Sequence, residues 1–180
     1  MKNLLLVASL VLLLCFAFAC QNKAEKAELE KFRAQAKLEE QNRELVKHFA
    51  EELNKGNVEI INEVCAPEYR IFSPSNNPKS LSREEELISL KVLLKAFPDF
   101  NWRIRELFVV GDMAIIWVIL SGTHQGEIEG IPPIGKKVEA SGMTIIRIQK
   151  GKVVEQWEEF DALGLMQQLG MELKPKEVKK

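Results

Sequence analysis

The sequence contains few of the residue types that build metal centres and disulfide frameworks. Among its 180 residues are three cysteines and two histidines, and no Cys-x-x-Cys pair occurs. These counts are too small for a structural zinc site or a disulfide-rich scaffold. The sequence also has no G-x-G-x-x-G or Walker-type loop, so nothing in it supports nucleotide binding. We therefore expect neither a metal nor a cofactor.

An excess of charge of one sign is also missing. The chain carries 25 Lys and Arg residues against 26 Asp and Glu residues, which leaves a net charge of −1. A chain with this balance has no global electrostatic attraction to nucleic acid. The hydrophobic fraction of 46% is that of a globular protein,. The length is that of one domain with short additional segments.

The first part of that hydrophobic fraction lies in one apolar run. Lys2 precedes residues 4–18, which are almost entirely apolar. A positive charge followed by a short apolar segment is typical of a secretory signal. About fifteen apolar residues are fewer than the roughly twenty that a membrane-spanning helix needs. We therefore predict a signal peptide over residues 1–19.

The end of this segment resembles the lipobox of bacterial lipoproteins, because small residues precede a cysteine in Ala17-Phe18-Ala19-Cys20. The resemblance implies that the thiol of Cys20 carries a lipid and that the protein is anchored in the bacterial cell envelope, on the periplasmic or extracellular side. The alternative is an ordinary cleaved signal in which Cys20 has no special role. With Cys15 removed and Cys20 modified, Cys65 remains as a single thiol, for which we expect a buried, inert position.

Residues 20–43 are rich in Lys, Glu, Gln and Ala. Such residues are good helix formers, but here they leave no broad apolar face. We interpret them as a polar stalk between the lipid and the domain; alternatively, they form the first turns of the domain's own first helix. The domain itself is expected over residues 44–170. The lysine-rich residues 171–180 are expected to form a flexible tail.

Helical periodicity dominates the first half of the domain. Apolar residues at helical spacing predict one helix up to Gly56 and a second over residues 58–64, stopped by Pro67,. A short strand is expected at Tyr69–Phe72 and a loop over residues 73–80. Two further features place the third helix: Ser82 and Glu85 form the sequence of a capping box at its start, and Pro98 lies at its end.

After residue 99 the periodicity changes to that of strands. Apolar and polar residues alternate from Phe100, residues 114–120 are apolar on both faces, and Lys150-Gly151 has the form of a two-residue hairpin turn,. The pattern predicts a mainly antiparallel sheet packed against the three helices, which is an α+β fold. The predicted strands cover residues 100–105, 113–124, 138–149 and 152–160, and a short helix follows at 162–169.

Four motifs in the second half occur in the order found in the SnoaL-like polyketide cyclase family, which the chain therefore resembles. The resemblance extends back to about Leu45. The motifs are Gly122-Thr123-His124-x-Gly126, Gly130-x-Pro132-Pro133-x-Gly135-Lys136, Gly151-Lys152-Val153-Val154-Glu155-x-Trp157-x-x-x-Asp161 and Gln168-Leu169-Gly170.

The resemblance implies a nuclear transport factor 2-like cone, with a pocket between three N-terminal helices and a curved sheet. In cyclases of this family an Asp at the end of the last strand acts as the general acid/base of an aldol closure, and Asp161 matches that position. A carboxylate beside aromatic residues would be partly desolvated, which raises its pKa. Alternatively, Asp161 is only the N-cap of the last helix.

Other residues are candidates for the same site. His124 is a second catalytic candidate, although a structural hydrogen bond of its ring is the simpler interpretation. Strand alternation gives Glu155 and Trp157 the parity of Asp161, so we expect both in the pocket; the alternatives are a salt bridge at the rim for Glu155 and a core position for Trp157. Trp102 and Phe160 complete the predicted ligand-binding residues.

These observations lead to two hypotheses about function. The first is an exported lipoprotein whose pocket binds a small apolar or carbonyl-containing molecule. The second is an enzyme of the same shape that performs metal-free cyclase-, isomerase- or hydrolase-type acid/base chemistry with Asp161. Since Ile115, Trp117 and Ile119 form a second apolar face on a central strand, we also expect a homodimer through the outer face of the sheet.

Overall fold

The computed structural model describes residues 2–73, 77–172 and 174, with the backbone only for residues 2–22, 77 and 78. The chain divides into two units, Met1–Leu38 and Glu39–Lys180. Helix α1, Lys2–Asn54, accounts for the described part of the first unit. Residues 23–37 on this helix are exposed, as expected of a polar segment. The side chains of the predicted signal peptide and of Cys20, the predicted lipid site, lie outside the described residues. Most of the predicted tail also lies outside them.

The second unit contains a single six-stranded sheet in the described residues, ordered β2-β1-β6-β5-β4-β3. Strands β1 and β6 are parallel, and all other neighbours are antiparallel. The prediction of a mixed α+β fold is confirmed. The elements after α1 are α2 Ile60–Val64, β1 Cys65–Ser73, β2 Asn77–Ser82, α3 Arg83–Ala96, β3 Asn101–Val110, β4 Met113–Thr123, β5 Lys137–Gln149, β6 Lys152–Phe160 and α4 Ala162–Gln168.

The region between α2 and α3 differs from the prediction. Residues 77–80 were expected in a loop but belong to β2, which pairs with β1 through Ile71 and Leu81. Strand β2 is mostly polar and contains Pro78, so its sequence is typical of a turn. An edge strand tolerates such residues because the backbone on its outer side forms no hydrogen bonds with another strand. The three predicted helices are therefore interrupted by two strands, and α2 has only 5 residues.

Local signals placed several boundaries close to their predicted positions, although β1 and β3 are longer than the predicted strands 69–72 and 100–105. Helix α1 ends at Asn54, and Gly56 in the turn that follows has φ 82°, a left-handed conformation that glycine adopts without strain,. Ser82 and Glu85 form the capping box at the start of α3. Lys150 and Gly151 both have positive φ, 52° and 73°, as the tight turn between β5 and β6 requires,.

The core lies between the helices and the inner face of the sheet. On β4, Ala114, Ile116 and Val118 face this core and are buried. Helix α1 is fixed to β3 by Asn54, whose side chain accepts a hydrogen bond from the backbone NH of Trp102 (2.7 Å) and donates one to the carbonyl of the same residue (3.1 Å). The outer face of β4 is different, because Ile115 is 38% exposed and Trp117 41% exposed.

Candidate functional site

A cavity of about 250 Å³ lies between the helices and the inner face of the sheet. Helices α1, α3 and α4 and strands β3 to β6 all contribute to its walls, so it is enclosed by most of the second unit. Its walls are mainly apolar. The aromatic and large aliphatic side chains that line it are Phe49, Leu53, Leu90, Leu93, Phe97, Phe100, Trp102, Val118, Leu120, Ile128, Val138, Phe160, Leu165, Met166 and Leu169.

A chain of hydrogen bonds joins the polar residues on one side of the cavity. The hydroxyl of Tyr69 donates to Oε1 of Gln156 (3.0 Å), and Nε2 of Gln156 donates to the carboxylate of Glu158 (3.1 Å). The hydroxyl of Ser73 donates to the other oxygen of Glu158, also at 3.1 Å. Since Gln156 and Glu158 are two residues apart on β6, strand alternation places both on the inner face,.

Two carboxyl groups in this cavity have perturbed acidity. Burial, and secondarily the nearby charge of Glu158, raises the pKa of Glu86 to about 8. Burial also raises the pKa of Glu158, although the hydrogen bonds from Ser73 and Gln156 act in the opposite direction. Both residues line the cavity, so the surface they retain faces an apolar space that hydrates a charge poorly,.

Glu86 and Glu158 differ in their partners. Glu158 accepts two hydrogen bonds, which stabilise its ionised form,. Among the described residues, none forms a hydrogen bond or an ion pair with the carboxylate of Glu86. At neutral pH the geometry therefore favours a neutral Glu86 next to a Glu158 that ionises more readily.

Asp161 does not lie in the cavity. It is exposed at the N-terminus of α4, where its side chain accepts a hydrogen bond from the backbone NH of Gly164 at 2.8 Å. This is the N-cap alternative considered from the sequence. The expectation that Asp161 faces the interior of the cone is therefore wrong, because the chain leaves β6 at Phe160 before Asp161 is reached.

The parity expected for Glu155 and Trp157 is also wrong. Neither lines the cavity; they lie on the outer face of β6, where Arg147 pairs with Glu155 and its guanidinium stacks 5.4 Å from the ring centre of Trp157. The indole also stacks on Phe72, with ring centres 5.8 Å apart. The error arose from counting back from Asp161, which is no longer part of the strand.

Trp102 and Phe160, by contrast, lie where the sequence placed them, in the wall of the cavity. Trp102 packs edge-on against Phe49, with ring centres 5.7 Å apart. Phe160 approaches the backbone of β5 at Gly142, where an added Cβ would lie 2.9 Å from the carbonyl oxygen of Glu159 and 3.1 Å from Cβ of Phe160. Gly142 therefore allows the close approach that brings Phe160 into the wall.

His124, the second catalytic candidate, is fully buried and does not line the cavity. Its ring stacks on Phe97 with a centre-to-centre distance of 5.3 Å, and among the described residues neither ring nitrogen has a hydrogen-bond partner. The structural hydrogen bond expected for the His124 ring is therefore not present among the described residues. Instead, its backbone bonds to Lys136 and Gly135, both at 2.9 Å, and so fixes the loop that follows β4.

Close packing requires the two glycines of the motif around His124. A Cβ at Gly122 would lie 2.9 Å from Cβ of Phe97, and a Cβ at Gly126 would lie 2.5 Å from the backbone oxygen of Lys95. Both contacts are too close for any other residue. The motif therefore seats the loop after β4 against the end of α3.

The sequence analysis did not identify Glu86, Glu158 or Tyr69 as cavity residues. The apolar residues around these three side chains come from distant parts of the chain, so no local sequence pattern could indicate their burial. Alternation counted from the hairpin turn at Gly151 also gives Glu158 the wrong face, because the pairing of β6 with β5 shifts register at Val154, between the pairs Ile148–Val153 and Arg147–Glu155,.

Two negative findings concern metals and membranes. Among the described residues, no group of three or more His, Cys, Asp or Glu side chains is arranged to hold a metal ion. In the part of the chain described with side chains, no helix is long and apolar enough to cross a membrane.

Comparison with known proteins connects this architecture to one family. The profile of the SnoaL-like polyketide cyclases matches residues 43–169. A search of curated proteins gave no significant match.

Several solved structures share the fold over most of the chain. A candidate polyketide cyclase from Acidithiobacillus ferrooxidans is 29% identical, covers 72% of this chain and 94% of its own, and superimposes with a TM-score of 0.65. TsrD from Streptomyces laurentii is 28% identical, with coverage of 72% and 95% and a TM-score of 0.64. A candidate SnoaL-like polyketide cyclase from Jannaschia is 25% identical, with coverage of 76% and 96% and a TM-score of 0.68.

Proposed function

The chain belongs to the SnoaL-like polyketide cyclase family, and we propose that it binds a small, mainly apolar molecule in the cavity of its cone. The observation that carries this proposal is the cavity itself. It is large enough for a molecule of about two fused rings, its walls are mainly apolar, and Tyr69, Gln156 and Glu158 form a hydrogen-bonded polar group within them. Such a combination gives affinity through apolar burial and orientation through a few polar contacts.

A ligand of this kind would place its apolar body against Phe100, Trp102 and Leu120. A carbonyl or another polar group would face Tyr69, Gln156 and Glu158, which are already connected by hydrogen bonds. Because these side chains are positioned before the ligand arrives, little conformational entropy would be lost on binding.

Binding of a neutral fluorescent probe tests this proposal. We expect N-phenylnaphthylamine to bind the purified chain with enhanced fluorescence. The variant Leu90→Trp fills part of the cavity and should weaken binding by about tenfold or more, whereas Ile88→Trp, on the exposed face of the same helix, should leave the affinity unchanged,. If the probe does not bind, or binds both variants equally, the cavity is not its site and the proposal fails.

We further propose that the protein is exported and held at the envelope by a lipid on Cys20. Support comes from the sequence, in which a charged residue, an apolar run and Ala17-Phe18-Ala19-Cys20 follow in the order of a lipoprotein signal,. The stretch that follows, residues 23–37, is helical and exposed, as a stalk would be.

Membrane fractionation tests the anchor. The variant Cys20→Ser loses the thiol that would carry the lipid, so we expect it to move from the membrane fraction to the soluble fraction. Cys15→Ser serves as the control and should remain with the membrane. A Cys20→Ser chain that still sediments with membranes would contradict the lipid anchor.

Acid/base catalysis on a carbonyl compound is the second candidate function. It is favoured by one observation, namely that two carboxyl groups with raised pKa values face the cavity. A neutral carboxyl group donates a proton, and a more easily ionised one accepts it. In this arrangement Glu86 and Glu158 are better placed for proton transfer than Asp161, which caps α4 at the surface.

A further inference from the structure

The charges that line the cavity are all of one sign. Glu86 on α3 and Glu158 on β6 contribute carboxyl groups to it, and two exposed acidic residues, Glu129 and Glu159, border it. Among the described residues that line the cavity there is no Lys, Arg or His. A negative potential focused in a low-dielectric space attracts cations and repels anions.

The guanidinium of Arg83, on the same helix as Glu86, does not pair with these carboxyl groups. Arg83 lies one turn before Glu86 on α3, but its guanidinium is directed to the carbonyl oxygen of Cys65 (3.5 Å) and to the carboxylate of Glu84 (3.4 Å). The neighbouring charge that affects Glu86 is the like charge of Glu158. The titratable groups on the adjacent strand, Tyr69 and Cys65, are neutral at physiological pH because burial raises the pKa of both.

The carboxylate acceptors in the cavity thus have no cationic hydrogen-bond donor among the described residues that line it. The carboxylate of Glu86 is unpartnered among the described residues, and Glu158 has only neutral donors in Ser73 and Gln156. Aromatic rings, among them Phe49 and Trp102, form part of the remaining wall. Carboxylates combined with aromatic rings and apolar walls form a site that suits an organic cation.

We propose that the ligand of this cavity is a hydrophobic amine, whose apolar body fills the cone and whose ammonium group pairs with Glu86 and Glu158. This inference rests on the proposed binding function and names the class of its ligand. The ammonium group would supply the positive charge that the walls lack. An anionic ligand would meet like charge, and a neutral one would leave Glu86 protonated and the charge of Glu158 without a cation.

Binding of such a cation is coupled to a proton. Near neutral pH one of the two carboxyl groups is protonated, because burial disfavours a second negative charge in the cavity,. An ammonium ion stabilises the ionised form of both groups, so the proton leaves for the solvent when the amine binds. A neutral alcohol or ketone causes no such release.

Calorimetric titration of the full chain with four naphthalene compounds of similar size tests the proposal. The series consists of naphthylethylamine, naphthylethanol, acetonaphthone and naphthylacetate. We expect the amine to bind about tenfold more tightly than the alcohol or ketone and the carboxylate to bind most weakly, since a charge-assisted hydrogen bond is roughly twice as strong as a neutral one. Titration in two buffers of different ionisation enthalpy should show release of about one proton with the amine and none with the alcohol.

Glu86→Gln should abolish the proton release and reduce the preference for the amine, because only Glu158 remains to pair with the ammonium group, while changing the affinity for the alcohol by less than about threefold. Glu84→Gln, an exposed carboxyl group on the same helix, is the matched control and should behave as the wild type. Glu158→Gln is a second variant in case the first does not fold, as judged by circular dichroism, and should also reduce the preference.

The outcomes separate this inference from the proposed function. If the neutral compounds bind as tightly as the amine, or if Glu86→Gln and Glu158→Gln both keep the wild-type preference, the amine inference is overturned while the binding function stands. If no member of the series and no neutral probe binds, both fail.

Discussion

At the scale of single residues, the chemistry of this protein depends on what surrounds each carboxyl group. Asp161 and Glu86 carry the same functional group, yet Asp161 is exposed and bonded to the backbone of Gly164, whereas Glu86 faces an apolar cavity. In the cavity, burial raises the pKa of Glu86 to about 8. Residue type alone therefore does not identify a proton-transfer group; its desolvation does.

The raised pKa of Glu86 predicts how stability depends on pH. The native state retains a proton that the unfolded chain, with a pKa near 4.5, has already lost, so the free energy of unfolding should fall as pH rises from about 5 to about 8,. The maximal slope for one group is about 1.4 kcal/mol per pH unit. Glu158 acts in the same direction because its pKa is also raised.

Glu86→Gln removes this titration, so the variant should gain stability relative to the wild type as the pH approaches 8, and its profile should be flatter. Urea denaturation at a series of pH values measures the effect, with Glu84→Gln as a control that retains the wild-type slope. A Glu86→Gln profile parallel to that of the wild type would show that Glu86 ionises freely in the native state.

At the scale of elements, the boundary between β6 and α4 decides whether Asp161 can face the cavity. Strand β6 ends at Phe160, and Asp161 begins the next helix as its N-cap. Counting strand alternation across this boundary gave Glu155 and Trp157 the wrong face. A register shift at Val154 interrupts the alternation of β6; beyond it the alternation holds, and Gln156, Glu158 and Phe160 line the cavity,.

Substitutions at Asp161 separate its capping role from a catalytic one. Asn also accepts the hydrogen bond from Gly164, so Asp161→Asn should change thermal stability little. Asp161→Ala loses the acceptor and should cost about 1 kcal/mol. Thermal denaturation measures both variants, and probe affinity should be unchanged in each because Asp161 lies outside the cavity. A large loss of affinity in Asp161→Asn would instead place Asp161 at the binding site.

At the scale of the whole molecule, the sheet has two apolar faces, and the described helices cover one of them. On the outer face, Ile115 lies opposite Ile145, and Trp117 lies opposite Met143, all of them substantially exposed. The guanidinium of Arg105 stacks 5.1 Å from the ring centre of Trp117, at one side of this patch. A contiguous apolar patch of this kind is typical of an interaction surface.

We propose that this patch mediates a homodimer. Light scattering should give about twice the chain mass of 20.5 kDa at micromolar concentrations,. Trp117→Glu places a charge in the patch and should produce monomers, whereas Val92→Glu, at an exposed apolar position on α3, should remain dimeric. A wild-type chain that scatters as a monomer throughout this range would contradict the proposal.

The sequence by itself determined the family, most of the helices and strands of the second unit, and the caps and turns between them. These depend on local chemistry, such as the capping box at Ser82 and the positive φ of Lys150 and Gly151. The motif around His124 was also visible in the sequence, because its glycines are required by close packing.

Only the tertiary structure decided which groups meet in the cavity. Glu86 on α3 and Glu158 on β6 are far apart in the chain, and their mutual influence exists only because α3 packs over the sheet. The burial of His124 and the exposure of Asp161 were decided in the same way. Desolvation depends on neighbours that come from many elements, so the pKa shifts that characterise this site cannot be deduced from the residues next to it in sequence.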